Sequence, residues 1–131
     1  MTTGAFPDSE DVMCDLAELV VGVGKAYNEL PPNLADQLPI AWCFKIGGTC
    51  DGITDLANLQ TNVIAETRTQ ALGISNRLRE VVLDAGGRKI KGVLIDATEE
   101  KNGIRLQPAP APKQPMIVAT YQLAFRRQPP R

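Results

Sequence analysis

Residues 30–70 constrain the fold most, because start and stop signals for several elements follow one another there. Pro31 and Pro32 cannot continue a helix, since proline lacks an amide donor and restricts the residue before it. The pattern then predicts a single helical turn over residues 33–38, which Pro39 ends. A strand, a glycine-rich connection, a second strand and the start of a helix follow. This order predicts a strand–turn–strand–helix unit in the middle of the chain.

Both strands of this unit alternate between two faces. The first strand is predicted over residues 40–46, with an apolar face of Ile40, Trp42, Phe44 and Ile46 and an opposite face of Ala41, Cys43 and Lys45. The second strand, over residues 56–66, places Leu59, Thr61, Val63 and Ala65 on one face and Gln60 and Asn62 on the other. Gly47 and Gly48, with the residues up to Gly52, are predicted to form the connection.

Two helices are predicted, one on each side of this unit. The first begins at residues 7–9, where Asp8 or Ser9 can cap the free amides. Its apolar stripe consists of Val12, Leu16, Leu19, Val20 and Val23, and the helix is expected to stop near Lys25 or Tyr27. The second helix follows Thr67 and Gln70, which fit a capping box, and the Gly86-Gly87 pair stops it. Its apolar side consists of Ala71, Ile74, Ser75, Leu78, Val81, Val82 and Ala85.

The remaining third of the chain is predicted to form strands. A strand is predicted over residues 88–98 with Gly92 as a bulge, and Asn102-Gly103 predicts a turn into a short ribbon. A Pro-rich loop covers residues 108–115, and the last strand covers residues 116–126 before a frayed tail, residues 127–131. The apolar side of this last strand consists of Ile117, Ala119, Tyr121, Leu123 and Phe125.

These elements together predict an α+β fold in the order α-β-β-α-β-β. Two helices with one apolar stripe each are expected to cover one face of a mostly antiparallel sheet of four to five strands. A chain of 131 residues is expected to form one domain, residues 1–131. No apolar run is long enough for a membrane span, and the N-terminus lacks the pattern of a signal peptide, so synthesis and retention in a cytosol are expected.

The small net charge hides an asymmetry along the chain. Residues 1–66 carry ten acidic and two basic side chains, a balance of −8, whereas residues 67–131 carry twelve basic and five acidic ones, a balance of +7. Such asymmetry suits unlike faces that associate with each other, or a basic surface for an acidic partner. Both signs can instead mix on the folded surface, and the sequence leaves these alternatives open.

The residues offer almost no support for a catalytic site. The chain contains no histidine, which removes the commonest general base and transition-metal ligand. Asp51 and Asp55 form a compact acidic turn, but the calcium-loop pattern is absent and bonding to nearby amides is favoured. A basic cluster around the end of the second helix and the next strand has no aromatic residues among it for stacking on bases; it consists of Arg77, Arg79, Arg88, Lys89 and Lys91. Cys14, Cys43 and Cys50 have no metal-like spacing and are predicted as free thiols, with a Cys43–Cys50 bridge as the less favoured alternative. We therefore predict no catalytic, cofactor-binding or metal-binding residues.

Almost the whole chain resembles the tail terminator proteins of long-tailed (siphovirus-type) bacteriophages, most closely those of actinobacterial phages. The resemblance is carried by residues 30–39 (LPPNLADQLP), by the strand into Ile46-Gly47-Gly48, by Asp51 and Thr54-Asp55, by residues 63–67 (VIAET) and by residues 119–123 (ATYQL).

This resemblance implies a structural protein without enzymatic activity or cofactor. Family members form a ring, usually of six subunits, on the head-proximal end of the tail tube. The ring ends polymerisation of the tube protein and meets the head-completion (stopper) proteins, while genomic DNA passes through its lumen without sequence-specific binding. The implied location is the tail–neck junction of the virion, after synthesis in the host cytoplasm. A neighbouring neck component (a stopper or connector adaptor) and a small soluble binding module unrelated to virions are the alternatives.

A ring needs one face of a subunit to contact a different face of the next. We expect acidic contact surface on the first helix and on the loop of residues 47–55, and basic contact surface around residues 88–91 and 126–127. Acidic residues can instead line the lumen, where they repel DNA. The predicted contact residues are Gly47, Gly48, Asp51, Thr54, Asp55, Arg88, Lys89, Lys91, Arg126 and Arg127.

Overall fold

A twisted sheet with two helices on one of its faces forms the centre of the molecule. The computed structural model describes residues 4–108 and 114–129. In these residues the elements are, in chain order, α1 (Ser9–Val21), β1 (Ala26–Tyr27), α2 (Leu34–Gln37), β2 (Ile40–Cys50), β3 (Thr54–Ile64), α3 (Arg68–Asp84), β4 (Lys89–Ile90), β5 (Val93–Leu94), β6 (Ala97–Pro108) and β7 (Pro115–Arg126). The predicted α+β class, with helices on one face of a mostly antiparallel sheet, is confirmed.

The main sheet has the strand order β1-β2-β3-β7-β6. Its four long strands are antiparallel to their neighbours, and the two-residue β1 runs parallel to β2. Strands β4 and β5 form a separate ribbon, whose turn residues Lys91 and Gly92 have φ values of 47° and 83°. Two positive φ angles in a row suit the tight turn of a β-hairpin. The single strand predicted over residues 88–98 is therefore wrong, because the chain reverses at Gly92 instead of bulging there.

The main core lies between the sheet and the helices α1 and α3. The predicted apolar faces of β3 and β7 are confirmed, since both point toward these helices and are buried. Strand β2 contributes the small side chains of Ala41 and Cys43 to this core, and its larger Trp42 and Phe44 point to the other face. Small residues on β2 leave room for α1 to pack close to the sheet.

Helix α1 begins as predicted but buries a different stripe. The carboxylate of Asp8 caps it by accepting a hydrogen bond of 2.9 Å from the amide of Glu10. Met13 and Ala17 are buried beside Val12 and Leu16, whereas Leu19 is 67% exposed and Val23 is 93% exposed. The predicted end near Lys25 or Tyr27 is wrong, because the helix ends at Val21 and Val23 lies in the turn that follows. Leu19 is inside the helix but borders a groove instead of the core.

The predicted start and apolar side of helix α3, and the predicted position of the short helix α2, are confirmed. The hydroxyl of Thr67 accepts a hydrogen bond of 3.1 Å from the amide of Gln70, which confirms the N-cap. The predicted apolar side of α3 is buried, with Val81 half-buried. The predicted turn of helix is α2, whose Leu34 packs on the far face of the sheet with Ile40, Ile64, Met116 and Val118.

Strand β6 corrects the ribbon predicted at Asn102-Gly103. The chain does not turn back there but continues as one strand along β7, with register shifts at Glu100–Asn102 and at Asn102–Arg105. Pairing along the whole of β7 outweighs the local turn signal. In the Pro-rich loop predicted over residues 108–115, residues 109–113 lie outside the described residues, and Pro108 pairs with Pro115 at the strand ends.

The last described residues lie against the start of the chain. The amide of Gln128 donates a hydrogen bond of 2.9 Å to the carbonyl of Ala5, and the two residues form an isolated bridge. Residues 130 and 131 of the predicted tail lie outside the described residues.

Candidate assembly surfaces

The turn between β2 and β3 is shorter than predicted and is organised by Asp51. Its carboxylate accepts hydrogen bonds from the amides of Ile53 (2.8 Å) and Thr54 (2.7 Å). These bonds favour the charged form and lower the pKa of Asp51 below its ordinary value. The prediction that this acidic side chain bonds nearby amides is confirmed, and Asp55 pairs with Cys50 at the end of the two strands.

Gly47 and Gly48 lie inside β2 and not in a loop, which corrects the predicted connection of residues 47–52. Ile46 forms a bulge between the paired residues Lys45 and Gly47. Gly48 has a φ of 133°, and a Cβ there would lie 1.9 Å from the carbonyl oxygen of Leu56. The glycine pair therefore permits close approach of β2 to β3 beyond the bulge.

The predicted basic residues near the C-terminus lie beside this turn. The guanidinium of Arg126 lies 2.9 Å from the carboxylate of Asp96. Arg127 donates hydrogen bonds of 3.3 Å to the carbonyls of Gly52 and Gly4, and its guanidinium lies 4.5 Å from the centre of the Phe6 ring. The structure thus brings acidic and basic predicted contact residues together at one end of the sheet.

A cavity of about 540 Å³ opens at this same end. Lys89, Arg126 and Arg127 line it, together with Leu94 and Gln128. Lys89 is exposed and forms no ion pair among the described residues. We call the Asp51 turn and this cavity the charged end of the molecule.

Arg88 and Lys91 bind acidic side chains of the same chain. Arg88 lies 3.1 Å from Asp84, four residues earlier, with both side chains mostly exposed. The ammonium of Lys91 lies 3.1 Å from Asp15 and 3.5 Å from Glu18 of α1. Of the predicted basic surface of residues 88–91, Lys91 therefore contacts the predicted acidic surface of α1 within the same chain.

The face of the sheet opposite α1 and α3 is rich in uncharged amides, a property that the sequence patterns showed only in part. It carries Asn58, Gln60 and Asn62 of β3 and Thr120 and Gln122 of β7. Gln60 donates a hydrogen bond of 2.9 Å to Asn62, which donates one of 2.9 Å to the carbonyl of Trp42. We call this surface, from Trp42 across to Gln122, the amide face. Asn62 and Thr120 are buried, so the accessible part of the amide face consists of the partly exposed Asn58, Gln60 and Gln122.

The two outer edges of the sheet are the strongest assembly feature that the sequence reasoning missed. Strand β1 pairs with Ala41 and Trp42 of β2, and no described strand pairs with the outer side of β2 beyond Trp42. At the opposite edge, the outer side of β6 has no partner strand within residues 4–108 and 114–129. Open edges present unpaired backbone groups to another chain. The alternating pattern of the sequence predicts that long strands exist. It does not show which strands lie at the edges, because that depends on the strand order.

A groove of about 520 Å³ lies between α1 and α3. Leu19, Val20 and Val81 supply its apolar lining, and Arg77 and Glu80 are among its polar residues. Leu19 belongs to the predicted stripe of α1, but it lines this groove and does not contribute to the core.

The described residues contain no group of three or more cysteine or acidic side chains placed to hold a metal ion. Cys14, Cys43 and Cys50 are free thiols, as predicted. In residues 4–108 and 114–129, no helix has the length and apolarity needed to cross a membrane.

No protein-family model matches this chain, and no curated protein sequence matches it. Its fold is similar to that of a chain in the solved structure of the virion of a native gene transfer agent (GTA) particle, with a TM-score of 0.63. The match covers 90% of this chain and 94% of that chain, at 8% sequence identity. A likeness at this identity shows a shared fold, and its coverage shows that the two chains share nearly all of that fold.

Proposed function

We propose that this chain is a non-enzymatic structural protein of a virion, which caps the head-proximal end of the tail tube as a ring. The observation that carries the proposal is the shared fold with a chain of a GTA virion, over nearly the full length of both chains. In this role the ring ends polymerisation of the tail tube protein and joins the tail to the head-completion (stopper) protein. The chain then resides at the tail–neck junction after synthesis in the host cytoplasm.

The open sheet edges supply a physical route to a ring. The free part of β2 and the free side of β6 lie at opposite ends of the strand order. A contact between unlike surfaces repeats from subunit to subunit, and it closes into a ring when the rotation between subunits permits. The two strands run antiparallel to each other in one subunit, so a neighbour in the same orientation offers its β6 in the antiparallel sense. The resemblance noted above implies six subunits.

The amide face suits the lumen of such a ring. Asn58, Gln60 and Gln122 are polar but uncharged, so they offer water-compatible surface that does not itself bind phosphate groups; Arg105 of β6, which pairs with Val118, lies beyond them on the same face. Tight and salt-dependent DNA binding depends on Lys and Arg contacts to phosphates. A lumen lined by this face lets genomic DNA pass without sequence-specific binding.

The charged end of the molecule is the proposed contact with the tail tube or the stopper protein. It contains most of the predicted contact residues, namely Asp51, Thr54, Asp55, Lys89, Arg126 and Arg127. Gly47 and Gly48 give the nearby part of β2 its shape. Surface charges of both signs at one end favour a partner with complementary charges.

A tube-capping assay tests the proposed function. Purified chain is added to tail tube protein as it polymerises, and tube lengths and ends are measured by electron microscopy. The proposal predicts ring-shaped caps at one end of each tube and an end to further growth. A chain that leaves tube growth unchanged but binds the head-side proteins is a neighbouring neck component. A chain that stays monomeric and binds neither is a separate binding module.

A further inference from the structure

The carboxylate of Glu10 covers part of the free edge of β2. Its Oε2 accepts a hydrogen bond of 2.8 Å from the backbone amide of Lys45. On the same edge, the amide of Ala41 donates a hydrogen bond of 3.0 Å to the carbonyl of Lys25. Amides along a strand alternate in direction, so those of Ala41 and Lys45 both point away from β3. The Glu10 side chain of α1 thus accepts from the Lys45 amide, a donor that would otherwise be free to bond a strand added at this edge.

We propose that Glu10 guards this edge and keeps the isolated chain from self-assembly until a neighbouring subunit displaces it. The inference rests on the ring of the proposed function, and it names what controls formation of that ring. In the free subunit the Glu10 carboxylate satisfies the amide of Lys45. In the ring, the β6 edge of the next subunit takes this amide, and the carboxylate turns out into solvent.

The position of Glu10 suits a guard that opens reversibly. A hydrogen bond from an amide to a carboxylate is stronger than one between neutral groups, so the edge is closed in the free subunit. Glu10 lies in the first turn of α1, where the helix dipole favours a negative charge in either position of the side chain. Asp8 caps the helix independently, so α1 does not need the Glu10 contact in order to begin.

The remainder of the edge is protected by other means. Strand β1 covers Ala41 and Trp42, and the bulge at Ile46 interrupts regular pairing just beyond Lys45. Short covering strands, bulges and charged side chains are the devices by which natural sheets avoid uncontrolled pairing of edges. The Glu10 carboxylate protects the edge at Lys45, which lies between the part covered by β1 and the bulge at Ile46.

The variant Glu10→Ala tests the guard directly. Loss of one charge-assisted hydrogen bond at the edge is expected to lower the protein concentration needed for self-assembly on the order of tenfold. Glu10→Asp keeps the charge but shortens the reach, and it is expected to behave like Glu10→Ala. Glu10→Gln keeps an oxygen acceptor at the same reach and is expected to stay closer to the unaltered chain.

Asp11→Ala is the matched control, because it removes the same charge from the same helical turn. Asp11 is exposed and its side chain makes no hydrogen bond to β2 in the described residues. Sedimentation velocity over a concentration series measures assembly for all variants. If Glu10→Ala and Glu10→Asp assemble at the same concentration as Asp11→Ala, the guard is overturned.

Hydrogen exchange of the Lys45 amide gives a second readout that a general loss of stability does not reproduce. The amide is expected to exchange faster in monomeric Glu10→Ala than in the unaltered monomer, and to become protected in assembled rings. An amide that stays unprotected in assembled rings contradicts the proposed exchange of partners. The tube-capping assay remains independent of this result, so a failed guard leaves the proposed function standing.

Discussion

The ammonium group of Lys91 lies 3.1 Å from the carboxylate of Asp15, and this contact joins the basic half of the sequence to its acidic half. Lys91 sits in the turn of the β4–β5 ribbon, and Asp15 lies on α1. Glu18, at 3.5 Å, extends the contact along the helix. Part of the charge asymmetry along the chain is therefore neutralised within the chain itself, so it does not all remain for contacts with other proteins.

Lys91→Asn removes this contact and keeps a residue that tolerates the positive φ of the turn. The contact with Asp15 raises the pKa of Lys91 above its ordinary value. Because the pKa of Lys91 is raised in the folded chain, the ion pair stabilises the fold at pH values below the ordinary lysine pKa. This stabilisation is lost as the pH rises through the pKa that Lys91 has in the folded chain. We expect the variant to melt slightly lower at neutral pH, and the difference from the unaltered chain to shrink at strongly alkaline pH and in high salt. A difference that does not depend on salt contradicts the ion pair as its cause.

Lys89→Glu tests the charged end as a contact surface. Lys89 is exposed and makes no ion pair in the described residues, so reversal of its charge leaves the folded subunit intact. Reversal at Arg126 and Arg127 is also expected to weaken ring assembly, but it breaks the contact with Asp96 as well. We expect Lys89→Glu to reduce tube capping while the melting temperature stays unchanged. Unchanged capping removes Lys89 from the contact surface.

Tyr121 predicts a loss of stability at alkaline pH. Burial raises the pKa of Tyr121 to about 12, from an ordinary value of 10.0. Because the unfolded chain ionises first, the stabilisation is present below pH 10.0 and is lost as the pH rises to about 12. Chemical unfolding at a series of pH values is expected to show this loss in the unaltered chain and less of it in Tyr121→Phe. Equal losses in both chains contradict the assignment to Tyr121.

Thr67→Ala removes the cap of α3. The amide of Gln70 then loses its acceptor, and we expect the free energy of unfolding to fall by about 1 kcal/mol. Thr69→Ala is the control, since Thr69 is exposed in the same helical turn and does not cap the helix. Urea unfolding measures both variants, and an equal effect of the two excludes the cap as the cause.

Two glycine substitutions are expected to have opposite effects. Gly48→Ala places a Cβ 1.9 Å from the carbonyl oxygen of Leu56 and is expected to destabilise the chain by roughly 1–3 kcal/mol. Gly73 lies inside α3, and a Cβ there would meet no atom within 4 Å beyond the adjacent helical backbone. Gly73→Ala is therefore expected to stabilise the chain by roughly 0.5–1 kcal/mol. Urea unfolding that shows a stable Gly48→Ala variant contradicts the close approach of β2 and β3.

The elements with local signals at both ends were predictable from the sequence. Helix α3 has a capping hydroxyl at Thr67, a long apolar period and a glycine stop, and each of these acts over a few neighbouring residues. The faces of β3 and β7 were predictable for a similar reason, since alternation alone determines which side chains share a face.

The errors lie where distant pairing decides the structure. Gly47 and Gly48 have the composition of a loop, yet cross-strand pairing with β3 keeps them in β2. Asn102-Gly103 has the composition of a turn, yet pairing with β7 keeps β6 continuous. The free edges and the contact of Glu10 with Lys45 depend on strand order, which local patterns do not contain. The contact residues therefore stay a prediction, and the partners that they have within the chain could not be predicted from local patterns.

Electron cryomicroscopy of purified virions tests the central claim most directly. The fold of this chain, with its five-stranded sheet and its two long helices, is to be located in the density of the assembled particle. We predict a ring of these folds at the head-proximal end of the tail tube, between the tube and the stopper protein, with the amide face toward the lumen. Density that lacks this fold at the tail–neck junction, or that shows it elsewhere in the particle, contradicts the account.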